Sequence, residues 1–402
     1  MKHTYSFAMD WLGKHWKGIV SGVVITCLAG ITLSLQLSSL VPGQNRFETA
    51  TLAGLKTFPY PWHSALNAIY NVPAYSLGKF LNNPLQGARI TSVIFGLLAT
   101  ACLFYILKIW FNVRIATVGS LLFITSSWLL QVIHQASPMS LLIFTPLFLI
   151  APLAWYLRTK KYKNLAFFAF AACLALSLYV PYMFWIAAVV LTILVLRANK
   201  KLVVMKTWQI VAAAFMYFLL ITPLFMSLAK YPGQLHQFFG IPTPLPSIGQ
   251  YFSHMYNTVA MVFFRSPALP ELHIGRLPML DIFSSAMFIL GIYYFVQRLS
   301  KRHSLILLCC LIMLLIIIPL SSLYQLNASI FIPFVYICII TGIVELLNRW
   351  FSYFPRNPWA RNLGVALIVV AIGFVSFYHL DRYFVAWPNT PETKAVYVIK
   401  SN

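Results

Sequence analysis

Val41–Arg89, VPGQNRFETATLAGLKTFPYPWHSALNAIYNVPAYSLGKFLNNPLQGAR, decides how this chain is read. It lies between apolar runs at 18–40 and 89–111, and is itself too polar and too broken to cross a bilayer. Glu48, one of only seven acids in 402 residues, falls just past the first apolar run. Two amphipathic pieces, Glu48–Thr57 and Ser64–Leu81, have the pattern of helices lying along a membrane surface. Between them Phe58-Pro59-Tyr60-Pro61-Trp62 cannot continue a helix. Long aromatic-rich loops are more often functional than bare connectors.

Composition sets the class. The chain is 60% apolar and only 9% charged, with a mean hydropathy of +0.80. A soluble domain of this size does not need that much apolar surface. The net charge of +22 is dispersed as short basic clusters between apolar runs, which is the pattern of positive-inside loops and not of a nucleic-acid surface. All six cysteines lie inside apolar runs without CxxC or Cys/His spacing, so they read as small apolar residues. Gly18–Leu40 is too long for a signal-peptide core and lacks a small-residue cleavage site, so it reads as an uncleaved first span.

A span needs about 20 apolar residues. The sequence predicts an all-α integral membrane protein with about 11 transmembrane helices, at 18–40, 89–111, 114–133, 139–157, 164–180, 182–197, 207–229, 281–297, 303–321, 328–347 and 362–380. Two long apolar tracts are each split. Tyr179-Val180-Pro181-Tyr182 divides one, and Ser321–Asn327 divides the other. With the N-terminus inside, the inner segments collect 19 of the 29 basic residues, and each inner connection is basic. The predicted single polytopic domain (1–402) then has a structured first extracytoplasmic loop (41–88), a second at 230–280, and an outer tail at 381–402. The localisation is multi-pass in the cytoplasmic membrane, N-terminus inside and C-terminus outside.

On this topology Glu48, Glu271, Asp281, Asp381 and Glu392 face outward. A base for an acceptor hydroxyl must be a carboxylate or histidine within hydrogen-bond reach. Glu48 is the candidate catalytic residue, and the structural roles beside it are an ion pair with Arg46 or Lys56 or a carboxylate at a helix N-terminus. Arg265 and Arg276 flank a segment just before a span and suit a lipid phosphate, with Arg89 and His273 completing the candidate phosphate-binding set. Anchoring to bulk anionic lipid explains the same arginines. No histidine pairs at i, i+4 with a nearby acid, so no metal site is predicted and no cofactor is assigned, with divalent-metal dependence left open. There is no Walker motif and no G-x-S-x-G.

Ala88-Arg89-Ile90-Thr91-Ser92-Val93-Ile94-Phe95-Gly96-Leu97-Leu98 resembles a stretch of polytopic GT-C-fold glycosyltransferases, the group of protein O-mannosyltransferases and aminoarabinose transferases. So do the basic turn Phe111-Asn112-Val113-Arg114, the span ending Ser126-Ser127-Trp128, and Gln135-Ala136-Ser137-Pro138. Leu277–Leu280 and Ile332-Pro333 extend the likeness. It covers about the first 160 residues by motif and the rest by layout. The resemblance implies transfer of a sugar from a polyprenyl-phosphate-linked donor to an acceptor on the outer face, with an acid in the first outer loop as base. Glu48 is the only acid in that loop, so the role falls on it.

The departures are specific. Gln44-Asn45-Arg46-Phe47-Glu48 stands where the family usually has Asp, often with a second acid. Ser137-Pro138-Met139 stands where it often has an acid, and Leu326-Asn327-Ala328-Ser329 lacks its Arg. The partners implied are membrane lipid and the lipid-linked donor, with the acceptor unassigned and no nucleic acid. A non-catalytic scaffold or lipid binder on the same fold, or a flippase of lipid-linked glycans, stays open beside the transferase.

Cysteine labelling checks the topology. Thr57→Cys and Gln250→Cys are expected to react with an impermeant reagent from outside, and Lys161→Cys is not. Outside labelling at 161 overturns the assignment of faces.

Overall fold

A computed structural model describes residues 20–37, 40, 43–56, 65–159, 161–197, 206–273, 275 and 277–397. The described residues are helical, with no β-strand. In order the helices are α1 (Val20–Ser34), α2 (Arg46–Lys56), α3 (Ala68–Phe80), α4 (Pro84–Trp110), α5 (Val113–Ile124), α6 (Ser127–Ile133) and α7 (Met139–Arg158). Next come α8 (Lys163–Ser177), α9 (Met183–Leu196), α10 (Thr207–Lys230), α11 (Gln234–Phe239), α12 (Ile248–Phe263) and α13 (Ile282–Val296). The chain closes with α14 (Arg302–Ile317), α15 (Tyr324–Asn327), α16 (Ile332–Tyr353), α17 (Pro358–Asp381), α18 (Trp387–Asn389) and α19 (Pro391–Val396).

Helix starts follow local chemistry. Asn83, Asn112, Ser126, Asp281 and Asn357 cap α4, α5, α6, α13 and α17, each side-chain oxygen accepting from an N–H of the first turn. Pro84 and Pro358 occupy first-turn positions where a missing N–H costs nothing. Both amphipathic pieces of the first loop are helices, α2 and α3. The Pro-rich turn at 58–62 lies outside the described residues.

Six helices among the described residues are long and apolar enough to cross a membrane, or seven if α5 and α6, bent by 63° at Thr125–Ser126, count as one. Four shorter apolar helices, α1, α8, α9 and α13, occupy other positions expected to span. Burial sorts inner from outer helices. In α7 and in Tyr324–Tyr353, 83% of the apolar window is buried, against 22% in α10 and in Pro358–Asn389. The faces that α10 and α17 leave bare carry Trp208, Phe215, Phe218, Phe225, Phe374 and Phe377. An apolar area that wide is stable against lipid, not water.

A break at 179–182 is present as expected, while the run expected as one span at 114–133 is itself broken between α5 and α6. Tyr182 adopts φ 68°, and its ring lies against Gly240, where a Cβ would meet it at 2.0 Å. The break after α14 is shorter than expected, since α15 already begins at Tyr324. The segment expected as an outer tail also differs. The helix continues beyond Asp381 through a π-helical turn (Arg382–Ala386) into α18. Arg382 donates there to the carbonyls of Pro278 and Leu277, while Tyr383 and Trp387 are buried.

α13 and α16 cross at backbone contact. A Cβ on Gly342 would lie 1.9 Å from the Met287 carbonyl oxygen, so only glycine fits. Gly342→Ala is therefore expected to destabilise the fold by about 1–3 kcal/mol. Gly373→Ala on α17, where nothing lies within 4 Å, is expected to be neutral or to stabilise by up to about 1 kcal/mol. Denaturant titration of the purified protein in detergent separates the two.

Candidate functional site at the first-loop end

The site begins at the start of α2. Asn45 Oδ1 accepts from the Glu48 N–H at 2.8 Å, and Glu48 Oε2 accepts from the Asn45 N–H at 3.3 Å. This reciprocal capping box fixes the carboxylate at the third helical position. Glu48 is fully buried, and its partner is Arg89 on α4, not Arg46 or Lys56. Arg89 Nε donates to Oε1 at 2.9 Å and Nη2 to Oε2 at 3.0 Å, a two-pronged pair. The Ala136 N–H, in the turn between α6 and α7, donates to Oε1 at 2.9 Å. Each carboxylate oxygen thus holds two donors, which fills its acceptor positions. Arg89 also donates to the carbonyls of Gly43 at 2.9 Å and Leu37 at 3.3 Å.

Neighbouring contacts extend this junction. Arg46 Nε donates to Glu271 Oε1 at 2.9 Å, joining the first loop to the second across 225 residues. Glu271 is buried, and its other oxygen has no hydrogen-bond partner among the described residues. The amide of Gln135 and Oε1 of Gln131 are also buried without such a partner. The C-terminal segment returns to the same place. Tyr397 OH accepts from Asn45 Nδ2 at 3.0 Å, and burial, then the Glu48 charge, push its phenol up. Tyr397 meets Trp387 edge-on, Trp387 stacks on Tyr383, and Tyr383 OH lies 2.6 Å from His134 Nδ1.

A second buried chain runs from Ser127 Oγ to His379 Nδ1 at 2.9 Å, and from His379 Nε2 to Asp281 Oδ2 at 3.1 Å. It ties α6, α17 and α13 together. Burial raises the Asp281 carboxyl, but hydrogen bonds from His379 and Ser284 outweigh it and hold the group below its usual range.

Of the other predicted site residues, Arg89 pairs directly with Glu48, while Arg265 and His273 have partners of their own. Arg265 is exposed, donates to Asn257 Oδ1 and sits 5.3 Å over the Tyr256 ring. His273 Nδ1 lies 2.8 Å from the Pro267 carbonyl oxygen, and its Nε2 is 3.9 Å from Glu392 on α19. Arg276 lies outside the described residues. Arg89 is held by Glu48 and two carbonyls. No group of three His, Cys, Asp or Glu side chains gathers as a metal site among the described residues.

Two cavities open at this end. One, of about 1080 Å³, lies between α2 and α3 and is lined by Lys56, Lys79, Gln44, Thr49, Asn82 and Asn83 among others. The other, of about 550 Å³, forms where the irregular breaks converge: Asn67, Pro138, Tyr182, His236, Gln237, Ser321 and Asn327 contribute to its wall. Asn327 Nδ2 donates to Tyr182 OH at 2.7 Å and to Ser321 Oγ at 2.9 Å, which fixes the polar wall. Among the described residues no carboxylate lines either cavity. Sequence reading missed Asn67, Tyr182 and Asn327 as wall residues. The Pro and Ser breaks beside them were the available signal. The Asn45-x-x-Glu48 spacing was likewise a visible capping-box signal.

No protein-family model matches the sequence, and no curated protein matches it. Solved structures do. The archaeal oligosaccharyltransferase AglB from Archaeoglobus fulgidus, in complex with an inhibitory peptide and a dolichol-phosphate, superposes with a TM-score of 0.58 at 14% identity. That match covers 96% of this chain and 59% of the other. ArnT from Cupriavidus metallidurans bound to undecaprenyl phosphate gives 0.57 at 12% identity, over 93% of this chain and 76% of that one. The chain thus has the GT-C fold of these membrane glycosyltransferases, and it spans 53–59% of the length of the oligosaccharyltransferase chains.

The buried pair sets a stability test. Glu48→Gln is expected to cost about 3–5 kcal/mol, because it leaves the Arg89 charge buried without a counter-charge. Glu48→Leu combined with Arg89→Met should lose less than either single change, since no unpaired charge remains. A double-mutant cycle from unfolding in detergent reads the coupling directly, and additive losses would show the pair contributes nothing special.

Proposed function

We propose that this protein is a membrane glycosyltransferase that takes a sugar from a polyprenyl-phosphate-linked donor and passes it to an acceptor on the outer face of the membrane. The observation that carries the reading is the fold, shared over more than nine-tenths of the chain with transferase structures holding dolichol-phosphate and undecaprenyl phosphate. In such a transfer the bond from the sugar C1 to the phosphate oxygen breaks, the acceptor oxygen bonds C1, and the hydroxyl proton goes to a base. A donor whose polyprenyl chain stays in lipid suits a site at the membrane surface, where charged contacts to phosphate are strengthened by the low dielectric.

Two carboxylates of the outer loops are candidate bases. Glu48 must first release a donor, and the longest of its four contacts is the Asn45 N–H at 3.3 Å. Glu271 has one oxygen on Arg46 and the other without a partner among the described residues. For the phosphate, Arg265 and Arg276 are the sequence candidates, and Lys56 and Lys79 add positive charge at the α2–α3 cavity. A second reading, a non-catalytic lipid binder, is favoured by two features: the acceptor positions of Glu48 are filled, and among the described residues no carboxylate lines either cavity.

The test is transfer of labelled sugar from polyprenyl-phosphate donors by the purified protein. The base is identified by comparing Glu48→Gln with Glu271→Gln in protein shown to remain folded. The residue acting as base is expected to lose on the order of a hundredfold or more in transfer rate. Arg265→Ala is expected to weaken donor binding by about 1–3 kcal/mol, with Lys substituting only in part. Absence of transfer with several donors and acceptors sinks the transferase reading in favour of the lipid binder.

A further inference from the structure

The end of the bundle away from the first loop holds a third cavity, of about 620 Å³. Four connections supply its walls: the α4–α5 turn, the C-terminus of α7, the C-terminus of α9, and the α13–α14 turn. Arg158, Arg197, Lys301 and Arg302 line it, with His303 beside them. Among the described residues no carboxylate does. The guanidiniums are held by backbone carbonyls instead of acids. Arg158 donates to the Ile109 carbonyl, Arg197 to that of Ser300 at 3.5 Å, and Arg302 Nε to that of Arg197 at 3.1 Å. A carbonyl orients a guanidinium but leaves its charge in place. Glu345, on the neighbouring α16, is already paired with Arg349 at 2.9 Å.

Apolar side chains share the wall: Ile109, Trp110, Leu157 and Phe295. Trp110 packs on the His303 ring at 5.2 Å. Basic loops alone are expected at one face of any membrane protein. Here they converge around one volume whose wall they share with apolar side chains. Four like charges around a cavity repel one another unless an anion enters, and the apolar side chains suit a ligand with a hydrocarbon part. We propose that this cavity binds the phosphate group of an anionic membrane lipid, with the headgroup among the four cations and an acyl chain along Ile109, Leu157 and Phe295. Basic pockets between helices are recognised sites for such headgroups. This site is independent of the proposed transfer and lies at the other end of the fold.

The experiment uses the full chain in phosphatidylcholine nanodiscs with and without phosphatidic acid, and native mass spectrometry of lipid retained in detergent. Phosphatidic acid is expected to raise the Tm and to stay bound. Arg197→Gln with Arg302→Gln is expected to weaken its binding at least about tenfold, as two charge-assisted contacts are lost. Arg356→Gln with Arg361→Gln removes the same charge beyond α16, outside the cavity, and is expected to leave binding unchanged. Lys301→Gln, at an exposed side chain, gives a milder variant should the first pair fail to fold. Inorganic phosphate, titrated in detergent, separates the sources. Stabilisation by phosphatidic acid alone assigns a lipid, and equal stabilisation by inorganic phosphate assigns a soluble phosphate anion to the same cations. Equal losses in the two double variants, or no binding of either probe, overturn the proposal.

Discussion

The buried pair between Glu48 and Arg89 is the contact on which the first-loop end depends. A carboxylate and a guanidinium taken out of water each carry a desolvation cost of several kcal/mol, so the pair persists only where geometry and extra hydrogen bonds offset it. Here they do. The carboxylate accepts from Asn45 and Ala136 as well as from both prongs of Arg89, and Arg89 reaches two further carbonyls. One ion pair thereby joins the residues after α1, the start of α2, the second turn of α4 and the turn before α7.

From that joint outward, the two ends of the bundle have opposite chemistry. The first-loop end is built from helix breaks, and its polar side chains bond one another across them. Asn327 to Tyr182, Arg46 to Glu271 and Asn45 to Tyr397 are all such contacts. Glu48 and Glu271 are buried there, amides and hydroxyls contribute to the wall of the smaller cavity, and two lysines line the larger one. The other end has short turns and four cations around one cavity, with no acid in its wall among the described residues. Between the ends, helices with bare apolar faces surround α7 and α16, which are almost wholly buried.

The fold is shared with glycosyltransferase structures that hold dolichol-phosphate or undecaprenyl phosphate. In the run Gln44–Glu48 the one acid present closes a salt bridge. Fold alone does not fix activity. The chemistry rests on whether a carboxylate at this end can be freed, and Glu271, with an oxygen unpartnered among the described residues, is as much a part of that question as Glu48.

Much of the fold was legible from the sequence, because it is set by local chemistry. Apolar runs of span length, Asn and Ser caps, and the Pro and Ser breaks at 179–182 and 321–327 place helices where the structure has them. The amphipathic pieces of the first loop did form α2 and α3. What the sequence left open is pairing across distance. Glu48 and Arg89 are 41 residues apart, Arg46 and Glu271 are 225 apart, and nothing local selects Arg89 over the nearer Arg46 or Lys56. The helical run past Asp381 was likewise invisible, because the buried carbonyl contacts of Arg382 and the stacking of Tyr383 on Trp387 exist only once α13 and α6 are packed beside them. Sequence by itself determined a polytopic helical membrane protein with a basic end and a structured first loop, since hydropathy and charge act residue by residue. Tertiary structure alone decided which charges are cancelled and which cavities they line, since that depends on groups brought together from distant parts of the chain.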